Sequence, residues 1–329
     1  MKDTKVLELV NCAINVPLAL TTTLGNTLIL AAIWKTPSLH SATNTLVFGL
    51  ALSDLGVGLF SQPLGVSVVL STEFLKDSSV LVTIFQIFSG SVSAGSLLTV
   101  TAIGMDRYLA LKLHLRYKEL VTVRRVVYVL VVIWVGCILA LVFSVWQGNI
   151  FLFYCAASPV IAACLLINFF VYQKLYRVCR FHHASIRDQA IFQDAQLYQR
   201  AINEARFRKS VKTIFFILLA LVLCYLPFCC YTVAVVVVGD SRLSAMASTM
   251  YQYTWTIVFA NSTANPALLY FQLTELRLAI KRILKKLCGC QRKNQDLGTI
   301  SNVGTLQLLT VPRAIQDDIN CGMSNLRAA

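Results

Sequence analysis

Apolar residues run along this chain in long uncharged windows, separated by short clusters of basic and polar residues. Seven windows stand out: Val10–Trp34, Asn44–Leu70, Val80–Met105, Val126–Trp146, Phe151–Gln173, Thr213–Val238 and Ala245–Tyr270. Each exceeds the ~20 residues that an α-helix needs to cross the hydrocarbon core of a bilayer. In lipid a helix satisfies its own backbone polar groups, and the windows are too long and continuous for barrel strands. The fourth and fifth share one charge-free run from Val126 to Gln173, broken only at Gln147-Gly148-Asn149, which predicts a very short connection. The pattern predicts an all-α membrane protein, a bundle of seven transmembrane helices.

After the last window the pattern changes. Leu276, Ile280, Ile283, Leu284 and Leu287 recur at helical spacing with Arg277, Lys281, Arg282, Lys285 and Lys286 between them, which predicts a short amphipathic helix in the membrane interface. Cys288 and Cys290 follow at once. There they are candidates for acylation, a second anchor beside the basic helix, or remain unmodified thiols. The expected organisation is an extracellular N-terminus (1–9), the bundle (10–270), the interfacial helix (271–287) and a disordered cytoplasmic tail (288–329). The polar stretch from Lys174 to Lys212 is helix-compatible and is expected to extend the fifth and sixth helices.

Composition agrees with a membrane protein. Hydrophobic residues make up 57% of the 329 and charged ones only 13%, against about a quarter charged in soluble domains. The basic residues fix an expected orientation. Only Lys2, Lys5, Lys76 and Arg242 fall on one side of the bundle, and the rest of the 29 Lys and Arg fall on the other. The positive-inside rule then places the N-terminus outside and the C-terminus in the cytoplasm, in the plasma membrane. The net charge of +14 reads as a face against anionic lipid, not as a nucleic-acid surface. No cleavable signal pattern precedes the first window, so that window is expected to insert itself. The eleven cysteines show neither metal-ligand spacing nor a disulfide framework. His40, His114, His182 and His183 all lie in cytoplasmic segments with no nucleophile beside them, so the chain is not expected to be an enzyme. The absence of an internal repeat counts against a repeat-built transporter.

Two groups of residues carry candidate chemistry. Asp106, Arg107 and Tyr108 close the third window after 28 uncharged residues, Ser78 to Met105. An arginine there is costly unless paired, and Asp106 is its expected local partner. Such a pair is either a releasable switch or a helix-end pair that only snorkels. Asp54 is the one acid deep inside a window and needs partners or a bound cation. Ser96 lies three helical turns before Arg107 on the same face, and Asn261 and Asn265, four apart, also share one face.

Six motifs in order identify a resemblance: Gly25-Asn26 in the first window, "LALSD" ending at Asp54 in the second and "DRY" closing the third. Trp134 in the fourth, "CYLP" (Cys224 to Pro227) in the sixth and "NSTANP" (Asn261 to Pro266) in the seventh complete it. Together, over Leu24 to Leu287, they resemble the rhodopsin-like (class A) G-protein-coupled receptors. The resemblance implies an extracellular ligand, a heterotrimeric G protein and, secondarily, arrestin as partners, with membrane lipid around the bundle and no resident cofactor. Asp106, Arg107, Tyr108 and Leu115 would form the G-protein switch. Tyr225, Pro227, Asn265, Pro266 and Tyr270 would form the activation relay. Asp54, Ser96, Asn261, Ser262 and Asn265 would surround an allosteric sodium ion, the alternative being a hydrated polar network. The ligand pocket would be lined by Gln86, Ser89, Gly90, Ser93, Phe228, Cys229, Thr232, Tyr251, Trp255 and Phe259. None of these is charged, so the expected ligand is small and uncharged. A transporter or channel, and a seven-helix protein that binds without signalling, are the competing readings.

The chain also departs from that family. Tyr225 stands where a tryptophan is usual, and Leu269 stands where the last motif carries tyrosine, with Tyr270 one place on. Phe207 replaces the acid that faces the arginine in many members, and Val82 replaces the cysteine of the common extracellular disulfide. Ser89 argues against an amine ligand, and Phe259 against retinal. The short second extracellular loop and missing disulfide look like the melanocortin, adenosine and cannabinoid receptors. Yet the acids that melanocortin receptors use are absent, and Val258 and Phe259 replace polar residues that contact adenosine.

Overall fold

The structure, a computed structural model, describes residues 2–74, 79–113, 116–146, 150–189, 216, 218–235, 237 and 245–287. Its elements are α1 (Lys2–Lys35), a 3-10 turn (Pro37–Leu39), α2 (Ala42–Gly56), a π-turn (Val57–Ser61), α3 (Gln62–Phe74) and α4 (Ser79–Leu113). Then come α5 (Tyr117–Leu120), α6 (Val123–Trp146), α7 (Ile150–Gln189), α8 (Leu218–Val235), α9 (Ala245–Gln272) and α10 (Thr274–Leu287). The chain divides into two units, Met1–Leu284 and Lys285–Ala329; only the last turn of α10 describes the second.

Every predicted window contains one helix or, in the second, a broken pair. Among the described residues, six helical segments are long and apolar enough to cross a membrane. The seventh, α9, has ample length at 28 residues and is more polar because its Thr256, Asn261, Ser262 and Asn265 turn inward and are buried. Large apolar side chains elsewhere face outward: Tyr128 is 70% and Leu139 62% exposed on α6. An apolar belt of that extent belongs against lipid. α1 starts eight residues before its predicted window, and Tyr253 Oη donates to Leu7 O at 2.8 Å there. The Gln147-Gly148-Asn149 break lies outside the described residues, between α6 and α7. α7 runs to Gln189, as the helical pattern after Lys174 suggested.

The second window is interrupted by the π-turn, in which the Gln62 N–H bonds to Val57 O. Pro63 follows and has no N–H to continue the α-register, so the extra residue absorbs the break. The turn also brings Gly58 against α1. A Cβ on Gly58 would lie 3.0 Å from Thr23 N and 3.1 Å from Ala19 O.

α1 and α9 are joined by a polar seam. Asn15 Nδ2 donates to Thr256 Oγ1 and to Asn11 Oδ1, both at 2.8 Å, and Thr256 Oγ1 donates to Asn11 Oδ1 at 2.6 Å. Further along, the Thr22 and Thr263 hydroxyls meet at 2.6 Å, and Asn26 Nδ2 donates to Ser262 O at 3.3 Å. Positions 11, 15, 22 and 26 lie within about 60° on a helix of 3.6 residues per turn, so one face of α1 carries the whole seam. Gly25 lets it close, since a Cβ there would sit 2.9 Å from the Pro266 ring. Of the predicted stripe on α10, Leu276 and Ile280 are buried and Ile283 is half-buried, while Leu284 is exposed; Ala279 is buried beside them and Leu278 is exposed.

These close approaches generate a test. Gly58→Ala and Gly25→Ala force backbone or a rigid ring to shift, at about 1–3 kcal/mol each, and should lower the thermal midpoint of the purified protein. Gly136→Ala, with nothing within 4 Å of its added Cβ, should not lower it. Equal midpoints in all three would show that these contacts do not limit packing.

Candidate functional site

The centre of the bundle is built around Asp54, which is fully buried. Ser96 Oγ on α4 donates to Asp54 Oδ1 at 2.9 Å, and Asn265 Nδ2 on α9 donates to Oδ2 at 2.8 Å. Ser262 adds a third polar side chain beside the carboxylate. Asn261 is 1% exposed and its buried Nδ2 has no hydrogen-bond partner. The structure therefore gathers Asp54, Ser96, Ser262 and Asn265 directly, with Asn261 buried on the same helix. Among the described residues, no cationic side chain bonds Asp54.

At one end of the bundle, the arrangement of Asp106 differs from the expected pair. Its Oδ2 accepts from Thr43 Oγ1 at 2.8 Å and its Oδ1 from Tyr117 Oη at 2.6 Å. No ion pair joins it to Arg107 among the described residues. The physical reason is helix geometry: adjacent side chains point about 100° apart and do not face each other. Asp106 is nearly buried at 4% exposure, and the loop helix α5 and the start of α2 enclose it. Burial, and then the bond to Asp106, pushes the Tyr117 phenol above its ordinary value, so it stays protonated and keeps donating. Arg107 is half-buried and free of Asp106. Tyr108 carries Lys112 Nζ over its ring at 6.0 Å. Leu115, Cys288, Cys290 and Phe207 lie outside the described residues.

Tyr225 reaches from α8 to α4, its Oη donating to Ser93 O at 3.1 Å. Pro227 lies two residues on in the same helix. Leu269 is core, while Tyr270 is half-buried and packs edge-on against Phe271 at 5.5 Å. The displaced tyrosine packs against the edge of the core, while Leu269 holds the buried place.

The predicted pocket residues fall around two cavities, not one. A cavity of about 330 Å³ between α4, α6, α7, α8 and α9 is lined by Gly90, Ser93, Tyr225, Phe228 and Trp255 among others. A second of about 200 Å³, bordering α1, α3, α4 and α9, is lined by Gln86, Tyr251, Trp255 and Phe259 together with Asn11 and Asn15. Trp255 forms a wall of both. It packs on Phe228 at 4.8 Å, Phe259 at 5.6 Å and Phe85 at 5.7 Å, and these rings divide the space. Ser89, Cys229 and Thr232 line neither cavity. Ser89 is fully buried, and Thr232 accepts from Ser158 at 3.1 Å and donates to Cys229 O at 2.9 Å.

Sequence reasoning missed several polar residues that the structure places at helix crossings. Asn168 Nδ2 donates to Thr101 Oγ1 at 2.9 Å, tying α7 to α4. Thr43, Tyr117, Asn11 and Asn15 belong to the same class. For Asn11, Asn15, Thr101 and Asn168 the available signal was an amide or hydroxyl inside an otherwise apolar window, which membranes tolerate only with a partner; Thr43 and Tyr117 lie outside the windows and carried no such signal.

With this geometry in view, the comparisons identify the class. The profile described as "7 transmembrane receptor (rhodopsin family)" matches residues 25–270, well over half of the chain, and the chain belongs to that family. It is a multi-pass membrane receptor and not an enzyme. The chain is 24% identical over 283 residues to melanocortin receptor 3 of Mus musculus, covering 84% of this chain and 85% of the relative. The human receptor of that name matches equally, at 24% over 283 residues. Melanocortin receptor 4 of Danio rerio is 23% identical over 295 residues, covering 86% and 85%. These relatives fall within the receptor group that the short loop and missing disulfide suggested.

The Asp106 cluster yields a test. Tyr117→Phe and Thr43→Val each remove one hydrogen bond to a buried charge, worth about 1.5–3 kcal/mol. Each should lower the thermal midpoint, and the double variant should lie below both. If both single variants melt with the parent, Asp106 is held by something other than these two hydroxyls.

Proposed function

We propose that the chain is a receptor of the plasma membrane that takes a small, uncharged, largely apolar ligand from outside and promotes nucleotide exchange on a heterotrimeric G protein inside. The observation that carries the ligand reading is the 330 Å³ cavity, whose lining holds no charged side chain. That volume lies at the lower edge of the ~300–1,000 Å³ typical of ligand sites. A charged ligand buried there would lack a partner, at a cost of several kcal/mol. The asymmetry of basic residues supports an N-terminus outside, with the Asp106 end facing the cytoplasm.

The proposed mechanism runs along the residues already described. A ligand in the cavity touches Trp255, Phe228 and Tyr225 on α9 and α8. Moving α8 outward breaks the Tyr225–Ser93 hydrogen bond, a link between α8 and α4 whose two residues line the cavity. At the other end Arg107, which Asp106 does not hold, is available to a partner protein, and α5 moves with Asp106 through Tyr117. Differential ligand affinity for the two arrangements is what shifts their populations.

The sodium ion implied by the family resemblance fits the donor set in part. Asp54, Ser96, Ser262 and Asn261 carry the oxygens that a hard cation takes, and the buried carboxylate lacks a cationic neighbour. Asn265 instead turns its Nδ2 to Asp54 and serves as a hydrogen-bond donor. When bound, the ion would supply the positive charge that this centre lacks, and would favour the arrangement in which α2, α4 and α9 converge on Asp54.

The test is a screen of matched neutral and charged compounds, read as nucleotide exchange on a panel of G proteins in membranes. Neutral apolar compounds should be the hits, and Trp255→Ala should weaken them about tenfold, or 1.4 kcal/mol. Arg107→Ala should bind the same compounds, reach the surface normally and fail to promote exchange. Glu73 and Asp240 are acids of the outer loops in the expected orientation, and cationic hits that lose potency on Glu73→Gln or Asp240→Asn, but not on Trp255→Ala, would sink the apolar-pocket reading.

A further inference from the structure

One large hollow in the described structure lies away from the bundle centre. It is a cleft of about 750 Å³ on the outer side of α4, α6 and α7, at the Asp106 end. Its walls are apolar: Leu98, Ala102 and Met105 from α4, Val129 from α6, Ile167 and Phe170 from α7. Met105, Val129, Ile167 and Phe170 are between 38% and 62% exposed, so the cleft opens away from the bundle, toward the depth where lipid chains lie. Ala102 makes the hollow, because its small side chain sits one turn from both Leu98 and Met105.

The charged side chains of the lining, Asp106, Arg125 and Lys174, are confined to one end. There the exposed side chains of Arg125 and Lys174 form the rim, one on α6 and the other on α7. Arg125 Nη1 donates to Leu120 O at 2.7 Å and to Glu119 O at 3.5 Å, which holds the exposed guanidinium at the rim, and neither Nη2 nor Nε takes part in these two bonds. The one acid lining the cleft, Asp106, already has both carboxylate oxygens engaged by Thr43 and Tyr117. An apolar slot that ends in two cations matches an amphiphile with an anionic head.

We infer that this cleft binds one lipid with an anionic headgroup, drawn from the cytoplasmic leaflet, its acyl chain against α4, α6 and α7 and its head on Arg125 and Lys174. The inference rests on the orientation proposed above and is independent of the ligand reading. That leaflet is where anionic lipid concentrates. A soluble anion would meet the two cations but leave the apolar walls unfilled, and a neutral lipid would fill the walls without using the cations. Leu120 and Val121 complete the lining, so the bound lipid touches the end of α5. α5 carries Tyr117, and the lipid thereby steadies the helix that encloses Asp106.

Native mass spectrometry of the full chain, taken from micelles that contain equal phosphatidylserine and phosphatidylcholine, tests this. The parent should retain one phosphatidylserine in several-fold preference to phosphatidylcholine. Lys174→Gln, an exposed change that cannot unfold the bundle, should remove most of that preference, and Ala102→Trp should remove the bound lipid by filling the hollow. Lys281→Gln/Arg282→Gln, on α10, should leave it intact. No preference in the parent, an equal loss in the α10 variant, or displacement by inorganic phosphate alone would each overturn the assignment. The first would mean that the cleft does not select an anionic head, and the second that anionic lipid gathers on the basic surface without a site. The third would mean a free-anion site.

Discussion

A carboxylate in the middle of a membrane bundle must be satisfied, and the arrangement of this receptor follows from how Asp54 is satisfied. Asp54 sits on α2 with no exposure to solvent. Its two oxygens are met from two other helices, by Ser96 and by Asn265. Burying a charge without such bonds costs far more than a domain can spare, so α2, α4 and α9 cannot separate independently. Whatever moves one of them must reorganise the carboxylate. That is the physical content of a central switch.

The remaining helices are referred to this centre. The seam from Asn11 to Asn26 fastens α1 to α9, and Gly25 against Pro266 sets how closely they approach. Asn168 and Thr101 fasten α7 to α4, and Tyr225 with Ser93 fastens α8 to α4. In lipid the hydrophobic effect does not drive helices together, so packing of small residues and interhelical hydrogen bonds must do so. α6 is tied to α5 by Arg125 Nη1 donating to Leu120 O, and it presents much of its apolar surface to the bilayer.

The fold was legible because span length and charge asymmetry are properties of single segments. Seven windows in the sequence correspond to seven helical stretches. The π-turn after Gly56 was not legible, although Pro63 marks its place, because periodicity does not distinguish an α-register from one extra residue. The Asp54 cluster was legible through motifs, since Asp54, Ser96 and Asn265 each stand at a position with a known family role. The state of Asp106 was not. Adjacency in sequence suggested Arg107, but adjacency on a helix separates side chains, and the true partners lie 63 and 11 residues away. The pocket was half legible for the same reason. Inward-facing residues were found by counting turns, but only the packing of Trp255 with its ring neighbours shows that they border two cavities.

The central claim is that Asp54 governs the balance between signalling and silent arrangements through its charge and its three-helix contacts. Ligand-independent nucleotide exchange in membranes, measured across a sodium series at constant ionic strength, tests it most directly. The account predicts that exchange by the parent falls as sodium rises, and that Asp54→Asn, at matched surface level, is indifferent to sodium. An identical sodium response in the two proteins would contradict it, leaving Asp54 as a hydrated structural residue with no part in the switch.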